Sequence, residues 1–240
     1  GATIHYTTDG STPTAASTPY TGPIAVGATT TLHAIATATG FTPSAVASGT
    51  YAIEIPASGD LFADDFTRTS GLGADWRVWH GSFRTEGSKA ISGTPPSAGD
   101  WASVVEPLGT SDYAVEARLA IPSGALYAGV VARSSSASSF TRDLYAAQLS
   151  SKGTVNLYRR NAWTWTLLRS VSAGVQANRS YDLRLVTTGT SPVHLEVWLD
   201  GARLLAWDDA SSGRLTSGAV GLESYEAGVQ YDAFRVVAAP

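Results

Sequence analysis

The chain of 240 residues contains no cysteine and no methionine. The lack of cysteine excludes disulfide bonds, thiol nucleophiles and thiolate-bound zinc. Charged residues are few and nearly balanced, 16 basic against 20 acidic, and no basic patch stands out, so we expect no nucleic-acid partner. No apolar run approaches the roughly 20 residues that span a membrane, so we expect no membrane insertion. A chain without methionine or a signal peptide is expected to be a monomeric fragment of a longer protein.

The residues that are abundant favour β-structure. Serine, threonine, glycine and alanine dominate, whereas lysine and glutamate are scarce. Short runs of alternating apolar residues follow one another at regular spacing, separated by turn residues, and no credible helix interrupts them. We therefore predict an all-β protein built from antiparallel sandwiches.

The clearest alternation lies in residues 180–207 and predicts a hairpin. Its turn is Asp200-Gly201, a pair that tolerates positive φ and favours type I′. The predicted cross-strand pairs are Leu199 with Ala202, Val197 with Leu204 and Leu195 with Ala206. In the same register Trp198 faces Arg203 and Trp207 faces His194 on the outer side. We interpret these two tryptophans as sheet-stabilising residues rather than as ligand platforms.

The series of strands stops and restarts once along the chain. Four extended pieces fill residues 1–55, and a new series begins at LFADDF, residues 61–66. Residues 56–59, PASG, have the composition of a short linker. We therefore predict two β domains, residues 1–55 and 60–240.

The first domain carries the motifs YTTDGSTPT, YTGPI, TTTLHAIA and VASGTYAI. This string resembles the chitobiase/β-hexosaminidase C-terminal-type domain, an immunoglobulin-like module of bacterial glycan-degrading enzymes. The resemblance implies a small β-sandwich that acts as a spacer. Such modules have one strand before the IHYTTDG segment, so we expect the first strand to be missing and a sheet edge to be unpaired.

The second domain carries YAAQLSSKGTVNLYR, LEVWLDG and GRLTSGAVGLESYEAGVQYDAFRV. These segments resemble the concanavalin-like, laminin-G-like jelly rolls of bacterial secreted polysaccharide-acting proteins, over about residues 60–237. The resemblance implies a larger jelly-roll sandwich, an extracellular location and a polysaccharide or oligosaccharide partner. The same fold hosts lectins, binding modules, hydrolases and lyases, so it does not decide between them.

Catalytic patterns are missing from the sequence. There is no HExxH, GxSxG or P-loop, and the four histidines are scattered over both domains. Hydrolases on this fold carry alternating carboxylates on one strand, and the nearest match here is Glu196 with Asp200. Asp200 is assigned to the turn, so the two cannot easily share a cleft. We therefore expect no catalytic residues and no enzyme activity in this chain.

A structural calcium ion is implied by the jelly-roll resemblance, which often joins the first and last strands through one. The matching positions are Asp64 or Asp65 and Asp232, whose carboxylates suit Ca²⁺. The alternative is that these aspartates cap turns or pair with Arg68 and Arg235. The sequence leaves both interpretations open.

Aromatic and planar polar side chains, which suit sugars, are densest around residues 133–165. Trp163 and Trp165 share a face beside a tight turn, although a tryptophan in a sandwich is more often part of the core. We expect the ligand-binding residues to lie on or beside the open face of one sheet. The predicted residues are Arg133, Arg142, Tyr145, Gln148, Arg159, Trp163, Trp165, Glu223 and Tyr225.

Two classes of function fit these features. The first is a non-catalytic carbohydrate-binding module on a spacer, which targets a larger secreted carbohydrate-active enzyme to a polysaccharide. The second is a structural or adhesive pair of β-modules without a ligand of its own. A jelly-roll lyase or hydrolase is a more distant third, because the fold permits catalysis but no constellation of residues supports it.

Overall fold

The computed structural model describes residues 1–22, 24, 30–51, 60–93, 100–104, 108–135 and 143–239. The chain divides into two compact units, Gly1–Ala57 and Ser58–Pro240, and the predicted linker at residues 56–59 lies outside the described residues. Every regular element in the described ranges is a strand, which confirms the all-β prediction. Within them no helix has the length and hydrophobicity to cross a membrane.

The first unit is a four-stranded antiparallel sheet with the order β2-β1-β3-β4. Its strands are β1 (Thr3–Thr7), β2 (Thr18–Pro19), β3 (Thr30–Thr37) and β4 (Ala47–Tyr51). Ile35 is buried, whereas Ile4 and Phe41 are exposed, at 46% and 78%. The described part of this unit therefore buries little apolar surface.

The second unit contains two antiparallel sheets. Its strands are β5 (Asp60–Asp64), β6 (Trp76–His80), β7 (Phe83–Thr85), β8 (Ala90–Ser92), β9 (Asp100–Val104), β10 (Tyr113–Ala120), β11 (Tyr127–Ser134), β12 (Leu144–Ser150), β13 (Thr154–Asn161), β14 (Thr164–Ser172), β15 (Ser180–Thr188), β16 (Val193–Leu199), β17 (Ala202–Asp209), β18 (Ala219–Tyr225) and β19 (Gln230–Ala238). One sheet has eight strands, in the order β17-β16-β15-β10-β19-β8-β7, with β5 also paired to β19. The other has seven, in the order β14-β13-β12-β11-β18-β9-β6.

The core lies between the two sheets and is filled by alternate residues of each strand. On β10, Val115, Ala117 and Leu119 face inward, and on β12 Ala147 and Leu149 do the same. Because successive side chains of a strand point to opposite faces, the residues between them face outward. The inward or outward side of each functional side chain is therefore set by this register.

The β16–β17 hairpin confirms the predicted turn and corrects the predicted register. Asp200 and Gly201 have φ of 48° and 80°, as a type I′ turn requires. Leu199 pairs with Ala202 and Trp198 with Arg203, as predicted, but a bulge then shifts the pairing by one residue. Val197 consequently pairs with Leu205 rather than Leu204.

The bulge moves Trp207 to the inner side. Trp207 pairs with Leu195 and packs against the core, so its predicted outer-face position opposite His194 is wrong. One extra residue in a strand exchanges the two faces beyond it. The guanidinium of Arg169 lies 4.1 Å from the Trp207 ring centroid, and the partner of His194 is Asp208.

The outward side of the eight-stranded sheet is covered by ion pairs, and we call it the ion-pair face. Arg118 pairs with Asp182 at 2.8 Å, and Glu116 pairs with Arg184 at 3.0 Å. Farther along the sheet, Glu196 accepts a hydrogen bond from Arg203 at 2.6 Å. Since oppositely charged residues alternate between neighbouring strands, this side is suited to contact with water.

We predict that His194 makes the stability of the second unit pH-dependent. Hydrogen bonding to Asp208, at 2.6 Å, raises the pKa of His194, outweighing its partial burial, and Glu196 adds to the effect. The stabilisation is therefore complete below the unfolded value of about 6.5 and is lost as the pH rises through the folded value.

Urea unfolding followed by tryptophan fluorescence tests this prediction, because all seven tryptophans lie in the second unit. The difference in unfolding free energy between the wild type and His194→Gln should shrink between about pH 5 and pH 8. A difference that stays constant over this range would contradict the prediction.

Candidate functional site

The candidate site is the outward side of the seven-stranded sheet, which we call the concave face. Trp101 on β9 and Trp165 on β14 have ring centroids 6.0 Å apart although four strands separate them. In a flat sheet, with about 4.8 Å between neighbours, strands so placed would lie about 24 Å apart. The sheet therefore curls towards this side and brings its far strands together.

Aromatic rings form one end of the concave face. Trp165 packs edge-on against Tyr158, with ring centroids 5.6 Å apart, and both rest on a small apolar floor formed by Val131, Leu144 and Ala146. Trp163 occupies the turn between β13 and β14 and is 66% exposed. Flat apolar surfaces of this kind can stack against the C–H faces of a sugar ring.

The guanidinium of Arg160 lies among the three tryptophans. Its central carbon is 5.3 Å from the ring centroid of Trp101, 5.8 Å from that of Trp163 and 5.5 Å from that of Trp165. Burial lowers the pKa of Arg160, and the nearby carboxyl of Glu223 partly opposes that shift. A planar donor is thus held beside the aromatic surface.

A buried hydrogen bond between Gln148 and Glu223 lies at the centre of the concave face. Gln148 Nε2 donates to Glu223 Oε1 at 2.7 Å, and both side chains are buried. They come from β12 and β18, the two neighbours of β11, and each is the register partner of Gly129 on β11. Because glycine has no side chain, the amide and the carboxyl can meet across this strand.

Gly129 cannot be replaced without moving the backbone. A Cβ atom at this position would lie 1.9 Å from the carbonyl oxygen of Ala147. From the core side, the Tyr231 hydroxyl donates to the Glu223 carbonyl at 2.6 Å, which holds β18 in place. The close approach of the strands and the hydrogen bond above them therefore depend on the same glycine.

Burial dominates the protonation of Glu223. Its side chain is fully enclosed, and this raises the pKa of the carboxyl to about 8, although the hydrogen bond from Gln148 and the charge of Arg160 act in the opposite direction. Its second oxygen, Oε2, is buried and has no hydrogen-bond partner. Burial therefore favours the neutral carboxylic acid of Glu223 over the carboxylate.

Two tyrosines extend the concave face beyond Glu223. Tyr127 and Tyr225 are register partners on β11 and β18, and their ring centroids lie 5.4 Å apart. Burial raises the pKa of the Tyr127 hydroxyl, and the neighbouring Glu223 adds to the shift. The Tyr127 hydroxyl is therefore a neutral group that can donate and accept hydrogen bonds.

The structure places five of the nine predicted binding residues on this face, and one of them is the exposed Trp163. Trp165, Gln148, Glu223 and Tyr225 belong to it, whereas Arg142 lies outside the described residues. The sequence analysis did not select Trp101, Tyr127, Tyr158 and Arg160, which complete the surface. Counting alternate residues from Gln148 through the β12–β13 turn would have found Tyr158 and Arg160.

The prediction that Tyr145 and Arg159 lie on the open face is wrong, because both point inward. Tyr145 donates to Asp209 Oδ2 at 2.7 Å, and Arg159 donates to the same carboxylate at 2.8 Å. Leu215 N donates to the Tyr145 hydroxyl at 3.0 Å. This cluster anchors the loop after β17. Arg159 and Arg160 are neighbours on one strand and point to opposite faces, so the prediction chose the arginine that points inward.

The predicted open-face position of Arg133 is wrong as well. A register shift in β11 and a φ of 51° turn this residue away from the sheet surface, and its side chain is completely buried. Its guanidinium donates to the carbonyls of Leu215 at 2.8 Å and Ser111 at 2.9 Å. Arg133 therefore joins two loops through backbone hydrogen bonds and offers nothing to a ligand on the concave face.

The three aspartates of the predicted calcium site have separate partners. Asp64 Oδ2 accepts hydrogen bonds from Arg68 at 2.8 Å and Trp76 at 2.5 Å. Asp65 caps its own turn, and Asp232 pairs with Lys89 at 2.5 Å. Within the described residues no group of three or more His, Asp or Glu side chains could hold a metal ion. These contacts are the ones that the turn-cap and ion-pair interpretation expects, and the calcium site stays a prediction.

The described strand residues place a single carboxyl, Glu223, on the concave face. Glycoside hydrolysis normally uses two carboxyl groups on opposite sides of the scissile bond. The described part of this surface therefore has the parts of a binding site rather than those of an acid/base pair.

Comparison with known proteins supports the two resemblances at the level of fold. Residues 1–48 match the family model of the chitobiase/beta-hexosaminidase C-terminal domain. No curated protein matches the sequence. Several solved structures resemble much of this chain at low sequence identity.

Three of these structures illustrate the different kinds of protein that share the fold. The carbohydrate-binding module CBM66 from Bacillus subtilis is 14% identical, with a TM-score of 0.59, over 69% of this chain and 96% of that one. A protein of unknown function with a galectin-like fold from Bacillus subtilis is 16% identical, with a TM-score of 0.57, over 75% and 96%. The laminarinase from Rhodothermus marinus is 10% identical, with a TM-score of 0.56, over 75% and 97%. They confirm the jelly-roll sandwich.

We predict that Glu223 lowers the stability of the second unit as the pH rises. The unfolded carboxyl loses its proton near pH 4.3 and the folded one near pH 8, so the unfolded chain binds fewer protons in between. Stability should fall by up to about 1.4 kcal/mol per pH unit in this window. Urea unfolding of the wild type and Glu223→Gln measures the effect, and equal slopes would contradict it.

We expect millimolar Ca²⁺ to leave the melting temperature of the second unit unchanged, because Asp64, Asp65 and Asp232 already have other partners. A ligand that binds only the folded state would raise it. Differential scanning calorimetry with Ca²⁺ and then EDTA is the measurement. A rise that EDTA reverses, and that Asp232→Ala abolishes, would support the calcium site instead.

Proposed function

We propose that the second unit is a non-catalytic carbohydrate-binding module whose ligand lies on the concave face. The observation that carries the proposal is the contrast between the two outer sides of the sandwich. The ion-pair face satisfies its charged groups with one another, as in Arg118 with Asp182. The concave face instead combines tryptophan and tyrosine rings with a buried amide and carboxyl.

This combination matches the needs of a sugar ligand. Aromatic rings cover the apolar C–H faces of a pyranose or furanose, and planar amide, carboxyl and guanidinium groups fix the hydroxyls. Affinity should be modest, because an open sheet recovers limited area against the entropy lost on binding. The likeness to the carbohydrate-binding module from Bacillus subtilis is consistent with this assignment, although at this identity it speaks for the fold alone.

The context of the module is part of the same proposal. We infer that residues 1–55 act as a spacer, and that the chain is part of a secreted bacterial enzyme that the second unit directs to a polysaccharide. The match of residues 1–48 to the chitobiase/beta-hexosaminidase C-terminal domain supports this context. Detection of the chain in culture supernatants of its source organism would test the extracellular location.

One observation makes hydrolysis worth testing as a second function. Glu223 is a buried acid with a pKa raised to about 8, a state typical of a general acid. The described concave face provides no second carboxyl to complete the pair. Assays for new reducing ends on the polysaccharides that bind would detect activity, and their absence would leave binding as the function.

We predict that Trp163→Ala weakens glycan binding about tenfold, equivalent to about 1.4 kcal/mol. The ring is 66% exposed, so its removal should leave the melting temperature nearly unchanged while deleting a stacking surface. Affinity electrophoresis in gels containing laminarin, xylan or galactomannan measures the effect. Trp165→Ala should weaken binding further, with some loss of stability, because this ring packs against the apolar floor.

The matched control is Trp198→Ala on the ion-pair face, where the indole donates to Glu196 at 2.9 Å. This variant should bind like the wild type. Unchanged migration of both concave-face variants beside a bound wild type would place the glycan elsewhere. Failure of the wild type to bind any glycan would favour the structural or adhesive alternative.

A further inference from the structure

Strand β6 adds an exposed cation to the margin of the concave face. Trp76 packs into the core, so the next residue, Arg77, points to the outward side of the sheet. Its register partner on β9 is Ser103, which lies two residues from Trp101 and on the same side as that ring. Arg77 is exposed to solvent. An accessible cation therefore lies beside the surface on which the glycan is proposed to bind.

The Arg77 guanidinium rests on an aromatic ring. Its central carbon lies 4.1 Å from the ring centroid of Trp79, which is on the same side of β6. The indole N–H of Trp79 donates to Ser103 Oγ at 2.6 Å and so fixes the ring. Stacking uses the face of a guanidinium and leaves the N–H groups at its edge available as donors. Arg77 and Trp79, which we call the β6 platform, therefore present a planar donor on a fixed base.

The charge of Arg77 is balanced differently from that of other arginines in the second unit. Arg84, Arg118 and Arg184 each lie within 3.4 Å of a carboxylate oxygen of this chain. Within the described residues, no carboxylate lies within ion-pair distance of Arg77. An anionic ligand can therefore pair with Arg77 without breaking an existing ion pair.

The neighbouring residues of the concave face add positive rather than negative charge. Glu223 is the one carboxyl that the described strands place there, and it is 0% exposed, with burial favouring its neutral form. Arg160, 5.3 Å from the Trp101 ring, is 8% exposed and acts through its field rather than by direct contact. Asp143 lies near Arg160, and its carboxylate accepts from the Ala162 amide at 2.6 Å. Arg77 and Arg160 therefore make the described surroundings of Trp101 net positive, although the whole chain has a net charge of −4.

We propose that the β6 platform binds a carboxylate of an acidic glycan, so that the ligand of the concave face is a polysaccharide that contains uronic acids. The Arg77 guanidinium donates two parallel hydrogen bonds to the carboxylate, a geometry for which its planar fork is suited. The adjacent tryptophan rings stack against the C–H faces of the same chain. The inference rests on the proposed function and adds to it the class of the ligand.

Two forms of one polysaccharide test the charge requirement. Polygalacturonate carries a carboxylate on each sugar, whereas fully methyl-esterified pectin has the same backbone with these groups neutralised. We expect the protein to bind polygalacturonate about fivefold more tightly, a difference of about 1 kcal/mol that matches one well-oriented exposed ion pair. Isothermal titration calorimetry at about pH 7, where the carboxylates are ionised, measures both affinities. Equal affinities would overturn the inference.

Variants of Arg77 separate its charge from its stacking. Arg77→Gln keeps a planar amide beside the Trp79 ring but removes the charge, so its affinity for polygalacturonate should fall to that for the methyl ester. Arg77→Lys keeps the charge without the fork and should retain part of the preference. Both variants should melt like the wild type, because the Arg77 side chain is exposed. A preference that survives unchanged in Arg77→Gln would overturn the inference.

The matched control is Arg84→Gln on β7, in the eight-stranded sheet. The Arg84 side chain is 58% exposed, and its replacement changes the net charge by the same amount. This variant should bind polygalacturonate like the wild type. An equal loss of affinity in Arg84→Gln and Arg77→Gln would show that the polyanion responds to overall charge, and it would contradict a site at the β6 platform.

Measurements on the wild type alone test the nature of the anion. Raising NaCl from about 0.05 M to about 0.5 M should remove most of the preference for polygalacturonate, because salt screens an exposed ion pair. A preference that persists at high salt would contradict a charge-based site. Dextran sulfate compared with dextran offers a sulfate in place of the carboxylate. A preference for dextran sulfate, without one for polygalacturonate, would contradict the uronic-acid ligand.

The outcomes also separate this inference from the proposed function. Binding of pectin, laminarin, xylan or galactomannan with no gain from a carboxylate would contradict the ligand class alone and leave glycan binding intact. Weaker polygalacturonate binding in both Arg77→Gln and Trp163→Ala would support the inference and the proposed function together. No binding of any probe would contradict both.

Discussion

The concave face depends on the absence of a side chain at Gly129. The hydrogen bond between Gln148 and Glu223 spans the strand on which this glycine lies, and a Cβ atom there would collide with the Ala147 carbonyl. The sheet also curls towards this side, which brings the ring of Trp101 to that of Trp165. The carboxyl of Glu223 is buried on this face. Burial raises its pKa and so favours the neutral acid.

The two sheets of the sandwich place their charged side chains differently. The eight-stranded sheet satisfies its outward charges by cross-strand pairs, such as Glu116 with Arg184 at 3.0 Å. The seven-stranded sheet carries aromatic rings outward and turns Arg159 and Tyr145 inward, where both donate to Asp209. These inward groups hold the loop after β17, so they support the shape of the molecule rather than contact a ligand. Arginine therefore holds a loop from the inner side at position 159 and lies beside the aromatic rings of the concave face at position 160.

The local pattern of the sequence was sufficient for the strands, the Asp200-Gly201 turn and the all-β class, because alternation and turn chemistry involve only neighbouring residues. Gln148, Trp163 and Glu223 could also be selected from their chemistry. The pairing beyond the turn could not be obtained in this way, because a bulge adds one residue and exchanges the two faces. Trp207 was misplaced for that reason.

By itself, the sequence determined which residues are strands and which chemical groups the second unit has available. Tertiary structure alone decided which of them meet. Trp101 and Trp165 are 64 positions apart in sequence and have four strands between them in the sheet, yet their ring centroids are only 6.0 Å apart. Arg133 looked like a surface cation and became a buried loop anchor, because a register shift turned it inward. Sheet curvature and bulges are set by the packing of whole strands, and no short stretch of sequence contains that information.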